Sequence, residues 1–219
     1  MRRVTVTEAS LEELIVKSRE RVKAHGEVFT PRHMVDRMLD LVRDELEAGP
    51  DFVDKTFLEP AAGDGNFLIA ILRRKLIAIE KNFAPDTWIA ESLFAVASIY
   101  GIELLEDNHR DAKGSLLAEF LKFHTLNGVS CGAGTRLRRS AAFLIETNIV
   151  RGDMLTGTTC RGDEIQFSWW RRLPGNRAMV QREPFTFAAL RDGAFDFTSY
   201  ETYRECRIDE VYKEAKADA

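Results

Sequence analysis

The sequence is poor in cysteine and has no long apolar run. Its three cysteines, Cys131, Cys160 and Cys206, are far apart and odd in number, so they indicate neither a disulfide framework nor a CxxC metal site. No run of about 18 apolar residues occurs, and the N-terminus lacks the apolar segment of a secretion signal. The composition therefore predicts a cytoplasmic protein without a membrane span or a bound metal.

A strong excess of positive charge is also missing, because the formal net charge is -4. The field of the whole molecule therefore does not favour a polyanion. Arginines do cluster locally, at Arg136, Arg138 and Arg139, and at Arg171, Arg172, Arg177 and Arg182 beside Trp169 and Trp170. Arginines beside aromatic rings bind phosphates and stack on bases, so Arg171, Arg172 and Arg177 are candidate nucleic-acid ligands. The alternative is a solvated face over two core tryptophans.

Two amphipathic helices are predicted before residue 50. Leu11 to His25 has apolar residues at helical spacing, after a capping box that begins at Ser10. A second helix has Thr30 as its cap and Pro31 as its first residue, and it ends near residue 49. Residues 1–50 are therefore interpreted as an N-terminal helical segment, followed by a domain over residues 51–219.

Strands and helices alternate in the rest of the chain. Strands are predicted at residues 56–58, 94–102, 143–150 and 164–168, and helices at 66–80, 108–123 and from 185. Residues 124–140 are predicted to form a glycine-bearing loop insertion, and residues 207–219 a frayed end. This alternation predicts an α/β fold with a doubly wound, mostly parallel sheet, covered on both faces and truncated after the fourth or fifth strand.

A glycine turn, Gly63-Asp64-Gly65, follows the first predicted strand. Glycine has no Cβ and allows positive φ, so the backbone amides that start the next helix can approach a ligand. Ligands of open α/β sheets bind beyond the carboxyl ends of the strands, where this turn is expected. Taken alone, the three residues also fit an ordinary tight turn.

Acidic residues end the next two predicted strands. Glu103 is placed to accept hydrogen bonds from ribose hydroxyls, although a surface glutamate is the alternative. It follows Gly65 at about twice the roughly 20 residues of the dinucleotide fingerprint, which argues against an NAD site. Asp153 is placed to accept a hydrogen bond from an adenine amino group while Met154 covers the ring. Three strand ends therefore point to one ligand.

Four segments resemble, in order, the motifs of the S-adenosylmethionine-dependent N6-adenine DNA methyltransferases of restriction-modification systems, particularly the methylase parts of type I and fused type II enzymes. GEVFTPRHMVDRML is similar to the family's N-terminal cofactor motif, and FLEPAAGDGNFL to its DPACGSGxFL motif. SIYGIELLEDNHRDAK is similar to the acidic second motif, and NIVRGDML to the third. Together they extend from about residue 11 to residue 155.

The resemblance implies a Rossmann-like class I methyltransferase fold whose N-terminal helices lie against S-adenosylmethionine. It implies that Glu103 binds the ribose and that Asp153 lies near the adenine. The cofactor-binding residues that it implies are Phe29, Thr30, Pro31, Glu59, Pro60, Ala61, Gly63, Asp64, Gly65, Phe67, Glu103, Asp153 and Met154.

The family's catalytic motif, an Asn or Asp followed by Pro-Pro and an aromatic residue, is missing after the fourth predicted strand. That motif accepts the hydrogens of the exocyclic amine and stacks the flipped base. Ser168, Trp169 and Trp170 occupy its place as a predicted turn, where the serine offers one acceptor and a tryptophan can stack a base. These three residues are the candidate catalytic residues, with core packing as the alternative for the tryptophans.

These features favour an N6-adenine DNA methyltransferase that needs no metal. A domain that reads DNA sequence does not fit into the residues after Ser168, so we expect either a partner subunit that reads the target or little sequence specificity. Two alternatives remain. The chain is a catalytically inactive S-adenosylmethionine-binding subunit or decoy of a restriction-modification system, or it methylates RNA, protein or a small molecule.

Overall fold

A computed structural model describes residues 15–192 and 203–213 as an α/β fold. Its α-helices are α1 (Arg19–His25), α2 (Arg32–Leu41), α3 (Arg43–Leu46), α4 (Asn66–Asn82), α5 (Trp88–Ala97), α6 (Glu106–Leu126), α7 (Arg136–Asn148) and α8 (Phe187–Asp192). Its strands are β1 (Phe57–Glu59), β2 (Ile99–Glu103), β3 (Ile149–Asp153), β4 (Thr158–Thr159), β5 (Gln166–Arg172), β6 (Met179–Thr186) and β7 (Cys206–Arg207). Short 3-10 helices lie at Pro50–Val53, Pro85–Thr87 and Ile208–Lys213.

The main sheet is mixed and has the strand order β1-β2-β3-β4. β1, β2 and β3 are parallel, with Phe57 opposite Ile99 and Gly101 opposite Ile149, and the two-residue β4 is antiparallel to β3. Parallel strands need crossover connections, which helices α4 to α7 supply. The carboxyl ends of β1, β2 and β3 therefore meet at one edge of the sheet.

The two faces of the main sheet carry different layers. On one face, Ile99 and Ile149 pack into a large apolar cluster with residues of α2, α4, α5, α6 and α7. On the other face, Tyr100 and Ile102 pack against Phe167 and Phe185 of the antiparallel β5–β6 hairpin. The second face is thus covered mainly by a hairpin, where the predicted doubly wound sheet would carry helices.

The N-terminal helices are shorter than predicted. Residues 15–18 are not helical, and α1 starts at Arg19, whose cap Ser18 accepts a hydrogen bond from the Arg21 amide at 3.2 Å. Residues 11–14 of the predicted first helix lie outside the described range. The cap of α2 is Pro31, with no side-chain hydrogen bond, so Thr30 is not the cap. Val35 and Leu39 of α2 pack into the large cluster, which is shared with α4.

Three sequence-based assignments in the middle of the chain are wrong. Residues 94–97 are the end of helix α5, residues 143–148 are the end of α7, and the predicted 124–140 loop is helical at its two ends, over residues 124–126 and 136–140. α5 is separated from β2 by one residue, α7 runs directly into β3, and α5 is buried along residues 91–97. In α5, burial on all sides leaves no periodicity that separates a buried helix from a buried strand.

The C-terminal part also differs from the prediction. β5 belongs to a separate antiparallel sheet with the order β5-β6-β7, and Phe185 and Thr186 are still in β6. Residues 207–213 are ordered, with Ile208 and Val211 buried in the large cluster, so they are not a frayed end. Residues 214–219 lie outside the described range. In the described part of the chain, no helix is both long and apolar enough to cross a membrane.

Candidate functional site

A cavity of about 380 Å³ opens at the carboxyl ends of β1, β2 and β3. Its lining comes from four segments, residues 25–29 before α2, the turn after β1, the β2–α6 connection and the end of β3. Cavities of about 300 to 1,000 Å³ are usual for small-molecule sites. Of the predicted cofactor-binding residues, seven line this cavity: Phe29, Pro60, Ala61, Gly63, Glu103, Asp153 and Met154.

The glycine turn after β1 is pressed between α6 and the N-terminal segment. Gly65 has φ of 94°, and a Cβ there would lie 3.0 Å from the Ala112 Cα. Gly63 has φ of 56°, and a Cβ there would lie 3.3 Å from the Phe29 ring. Both positions therefore require glycine, for the backbone conformation and for the close approach. The turn leads into the 17-residue helix α4, whose N-terminal amides carry partial positive charge.

Glu103, at the end of β2, is buried with its carboxylate held by backbone amides. Its Oε2 accepts a hydrogen bond from the Gly63 amide at 2.7 Å, and its Oε1 accepts one from the Leu105 amide at 2.9 Å. A longer contact of 3.5 Å joins the Asn108 Nδ2 to Oε1. A carboxylate has about four acceptor positions, so Glu103 keeps capacity for a ligand hydroxyl.

Asp153 ends β3 at the opposite wall of the cavity. Its Oδ1 accepts a hydrogen bond from the Leu155 amide at 2.8 Å, which fixes the carboxylate in a local Asx turn. Met154 and Leu155 continue the lining, and the Leu155 side chain is exposed. This wall therefore combines one oriented acceptor with apolar surface, as recognition of a heteroaromatic ring requires.

Glu59 precedes the glycine turn and Asp64 lies within it, and neither residue lines the cavity. Burial raises the pKa of the Glu59 carboxyl, although a hydrogen bond from the Ala61 amide acts in the opposite direction. Burial also raises the pKa of Asp64, against the lowering effects of backbone amides and of Lys17 and Arg32. Within residues 15–192 and 203–213, no Lys or Arg forms an ion pair with either carboxylate. A cationic ligand group near the turn would be favoured by both.

The remaining predicted cofactor-binding residues lie next to the cavity lining without being part of it. The Thr30 carbonyl accepts a hydrogen bond from the Asn66 Nδ2 at 3.3 Å, which ties the segment before α2 to the start of α4. Pro31 caps α2, and Phe67 is half-buried against the large apolar cluster. Thr30, Pro31, Gly65 and Phe67 therefore shape the site, and the structure does not place them in its lining.

A charged network beside the cavity was missed by the sequence-based analysis. Arg21 donates to Glu27 at 2.5 and 2.6 Å and to Asp107 at 2.7 Å. Lys17 donates to Asp107 at 3.0 Å and to Asn108 Oδ1 at 2.7 Å. These partners are about 80 to 90 residues apart in the chain, except Glu27, so no local pattern indicates them. Glu27 and Asn108 line the cavity.

The network changes the titration of its members. The hydrogen bond from Arg21 holds the pKa of Asp107 well below its usual range, and hydrogen bonds to Glu27 and Asp107 raise the pKa of Arg21. Burial alone raises the pKa of Glu27, but hydrogen bonds from Arg21 and Asn108 outweigh it and lower the pKa. Arg21, Glu27 and Asp107 are therefore charged at neutral pH, and together with Lys17 and Asn108 they bind the N-terminal segment to the start of α6.

The candidate catalytic residues do not lie at this cavity. Ser168, Trp169 and Trp170 are in the extended strand β5, so the predicted turn is wrong. The buried Ser168 Oγ accepts a hydrogen bond from Arg182 at 2.7 Å, and the buried Trp170 donates to Asn148 Oδ1 at 2.8 Å.

Trp169 and Trp170 line a separate cavity of about 200 Å³ together with Thr56 and Ser98. Thr56 and Ser98 directly precede β1 and β2. This second cavity is therefore at the amino ends of the strands, away from Glu103 and Asp153.

The candidate nucleic-acid ligands are engaged in ion pairs within the chain. Arg172 pairs with Asp54 at 2.7 Å and with Glu91 at 2.9 Å, and Arg177 also pairs with Glu91 at 2.9 Å. Arg171 pairs with Glu183 at 2.7 Å. The Glu91 side chain is fully buried, so its charge requires these partners. These ion pairs give Arg172 and Arg177 a structural role, because they neutralise the buried Glu91. A role of these arginines in nucleic-acid binding stays a prediction.

No protein-family model, curated protein or solved structure matches the chain. The site's own residues therefore define its chemistry. Among the described lining residues, Glu27, Glu103 and Asp153 are acidic, and none is Lys or Arg. Such a lining accepts hydrogen bonds from hydroxyl and amino groups and disfavours phosphate. In the same part of the chain, no group of three or more His, Cys, Asp or Glu is arranged to hold a metal ion.

Proposed function

We propose that the cavity binds S-adenosylmethionine and that the chain is a methyltransferase of the N6-adenine DNA type. The observation that carries the proposal is the placement of Glu103 and Asp153 at the ends of neighbouring parallel strands, around the glycine turn. Glu103 accepts from the ribose hydroxyls, and Asp153 accepts from the adenine amino group. Met154 covers the ring.

The charge of the site supports this phosphate-free adenosine derivative over adenine nucleotides. ATP and NAD carry phosphates, which need cationic partners in addition to backbone amides. S-adenosylmethionine instead carries a sulfonium and an ammonium group, which suit the half-buried carboxylates Glu59 and Asp64. The ligand's carboxylate is directed to the N-terminus of α4.

The order β1-β2-β3, with a glycine turn after the first strand, supports a Rossmann-like class I methyltransferase fold. In that fold the residues of this chain bind and orient the cofactor, whose sulfonium methyl is transferred directly to the acceptor nitrogen. No described residue at the cavity is assigned to hold the acceptor amine. A second function is therefore a non-catalytic cofactor-binding subunit, favoured by the separation of Ser168, Trp169 and Trp170 from the cavity.

Calorimetric titration tests cofactor binding. Wild-type protein is titrated with S-adenosylmethionine, ATP and NAD, and the first ligand is expected to bind while the other two do not. Glu103→Gln is expected to weaken binding by about tenfold or more, since it loses charge-assisted hydrogen bonds. Glu106→Gln is the matched control, because Glu106 is exposed and pairs only with Arg151 among the described residues. Equal affinity for ATP, or no binding of S-adenosylmethionine, would overturn the proposal.

Methyl transfer separates the two functions. Labelled S-adenosylmethionine is incubated with the protein and with DNA, RNA or protein substrates, and the N6-adenine proposal predicts label in DNA. Binding without transfer to any substrate contradicts the methyltransferase proposal and supports the non-catalytic subunit. Transfer to RNA or protein alone contradicts the assigned substrate class.

A further inference from the structure

We propose that Asn108 is a positioning residue for Glu103, and that Lys17 and Arg21 set the orientation of Asn108. The ligand part of this inference rests on the proposed function, because it assumes that Glu103 binds ribose hydroxyls. The contacts themselves are independent of any ligand.

Asn108 is almost fully buried near the start of α6, and its amide has different partners at its two ends. Its Oδ1 accepts hydrogen bonds from Lys17 Nζ at 2.7 Å and from Arg21 Nη2 at 3.4 Å. Its Nδ2 donates to Glu27 Oε1 at 2.6 Å and lies 3.5 Å from Glu103 Oε1. The amide thus stands between two cations and two carboxylates.

This arrangement allows one orientation of the amide. If Asn108 turned over, its oxygen would face the Glu27 and Glu103 carboxylates and its NH₂ group would face Lys17 and Arg21. Acceptors would then oppose acceptors and donors would oppose donors in a buried place, where unsatisfied polar groups are costly. Lys17 and Arg21 therefore keep the NH₂ group directed at Glu27, to which it donates at 2.6 Å, and toward Glu103 at 3.5 Å.

The two cations are themselves fixed. Arg21 is held by Glu27 and Asp107 through its guanidinium fork, and Lys17 is held by Asp107 and Asp111. Both cations belong to the segment before α2, whereas Asn108, Asp107 and Asp111 belong to α6. The N-terminal segment thereby orients the Glu103 carboxylate through Asn108, although neither Lys17 nor Arg21 forms a hydrogen bond with that carboxylate.

The consequence concerns how the ligand's ribose is recognised. Gly63 holds Glu103 Oε2, and Leu105 together with Asn108 holds Oε1, so the carboxylate plane is fixed before the ligand arrives. A fixed pair of acceptors favours a nucleoside with both 2′ and 3′ hydroxyls. Substitution of Arg21 should reduce this preference without removing the ligand's ring contacts.

The first test measures ribose discrimination. Wild type, Arg21→Gln, Arg21→Lys and Lys23→Gln are titrated by NMR with adenosine and with 2′,3′-dideoxyadenosine. Wild type is expected to prefer adenosine by about tenfold or more, since one hydrogen bond to a charged group is worth at least about 1.5 kcal/mol. Arg21→Gln is expected to lose most of the preference, with Arg21→Lys intermediate. Lys23→Gln is the control, because Lys23 is exposed on the same helix.

Equal weakening of both nucleosides in Arg21→Gln would show a merely structural role and overturn the proposal. An unchanged preference would overturn it as well. The test uses the ratio of the affinities for adenosine and 2′,3′-dideoxyadenosine. A general loss of the fold would weaken both affinities and leave that ratio unchanged, so the ratio reports the positioning effect alone.

The second test needs no ligand. Amide hydrogen exchange of Gly63 and Leu105, which both donate to Glu103, is compared in the same variants. Arg21→Gln is expected to speed exchange of these two amides by about tenfold, while Lys23→Gln leaves them unchanged. Unchanged exchange in Arg21→Gln would overturn the positioning role. If wild type does not bind S-adenosylmethionine, the proposed function fails, and the exchange result still decides this inference.

Discussion

Lys75 is a fully buried cation in the middle of α4. Its Nζ donates to the Val53 and Lys55 carbonyls and to the Ser98 Oγ, and it lies 5.1 Å from the centre of the Phe57 ring. Burial lowers its pKa to about 7. At the scale of single residues, Lys75 therefore links the chain before β1 to the start of β2 through an amine that titrates near neutral pH.

This titration predicts a pH-dependent stability. Between about pH 7 and the pKa of an unfolded lysine, the unfolded chain binds one more proton at Lys75 than the folded chain. Stability should therefore rise with pH across that range, by up to about 1.4 kcal/mol per pH unit from this group. Lys75→Met is expected to remove this slope from urea unfolding curves recorded at pH 7, 8 and 9. Lys81→Met, an exposed change in the same helix, is expected to keep it; an equal slope in both variants would contradict the assignment.

Residues at strand ends were predictable, whereas residues paired over long distances were not. Glu103 and Asp153 were identified because each ends an apolar strand, and both line one cavity in the structure, while their binding roles stay predictions. Arg21 and Asn108 are separated by 87 positions, so no local sequence pattern indicates their contact. Trp170 was ambiguous between stacking and packing, and its hydrogen bond to Asn148 identifies a packed residue.

Among secondary-structure elements, the β5–β6 hairpin is the largest departure from expectation. It lies over the main sheet, where Tyr100 donates a hydrogen bond to the Ser168 carbonyl at 2.8 Å. Arg172 at its end reaches Asp54 and the buried Glu91 of α5. Its antiparallel pairing was not predictable from the sequence, because Gln166 to Arg172 lacks the apolar and polar alternation of an antiparallel strand: Phe167 and Ser168 are adjacent and both buried, and Trp169 and Trp170 are adjacent.

The arginines of this hairpin give a prediction about stability. Among the described residues, Arg172→Met leaves the buried Glu91 with Arg177 as its one cationic partner, and we expect the free energy of unfolding to fall by about 3 kcal/mol. Arg171→Met is the control, since its pair with Glu183 is partly exposed and should contribute less than about 1 kcal/mol. Urea unfolding measures both. A stable Arg172→Met variant with weakened DNA binding would instead favour the nucleic-acid role predicted from the sequence.

The predicted element boundaries were wrong where a helix leads into a strand. The α5–β2 and α7–β3 junctions have at most one residue between helix and strand, and no glycine or proline marks them. In α5, burial of every residue from 91 to 97 removes the 3.6-residue periodicity of a surface helix, whereas α7 keeps that periodicity, with Leu137, Ala141 and Leu144 buried, and it was missed. The bounds of α4 and α6 were predicted within a few residues.

In the whole molecule, the cavity joins segments that are distant in the chain. Residues 25–29, 60–63, 103–108 and 152–155 meet there only in the folded state. S-adenosylmethionine should therefore bind the folded protein and not the unfolded chain. At a free concentration of 100 times the Kd, this adds about 2.7 kcal/mol to the free energy of unfolding.

Thermal unfolding with and without the ligand measures this stabilisation. The midpoint should rise with S-adenosylmethionine for wild type and Glu106→Gln, and much less for Glu103→Gln at the same concentration. A shift of equal size in Glu103→Gln would contradict binding at this cavity. ATP, expected not to bind, serves as the ligand control.

The parallel order of β1, β2 and β3 has a consequence for synthesis of the chain. Each pairing joins residues more than forty positions apart, as with Phe57 and Ile99, and then Gly101 and Ile149. A growing chain that has reached the end of α6 already contains the glycine turn and Glu103, but it has no third strand and no Asp153. The end of β3 is the last of the four cavity segments to be synthesised, so the nascent protein cannot complete the cavity before β3 has left the ribosome.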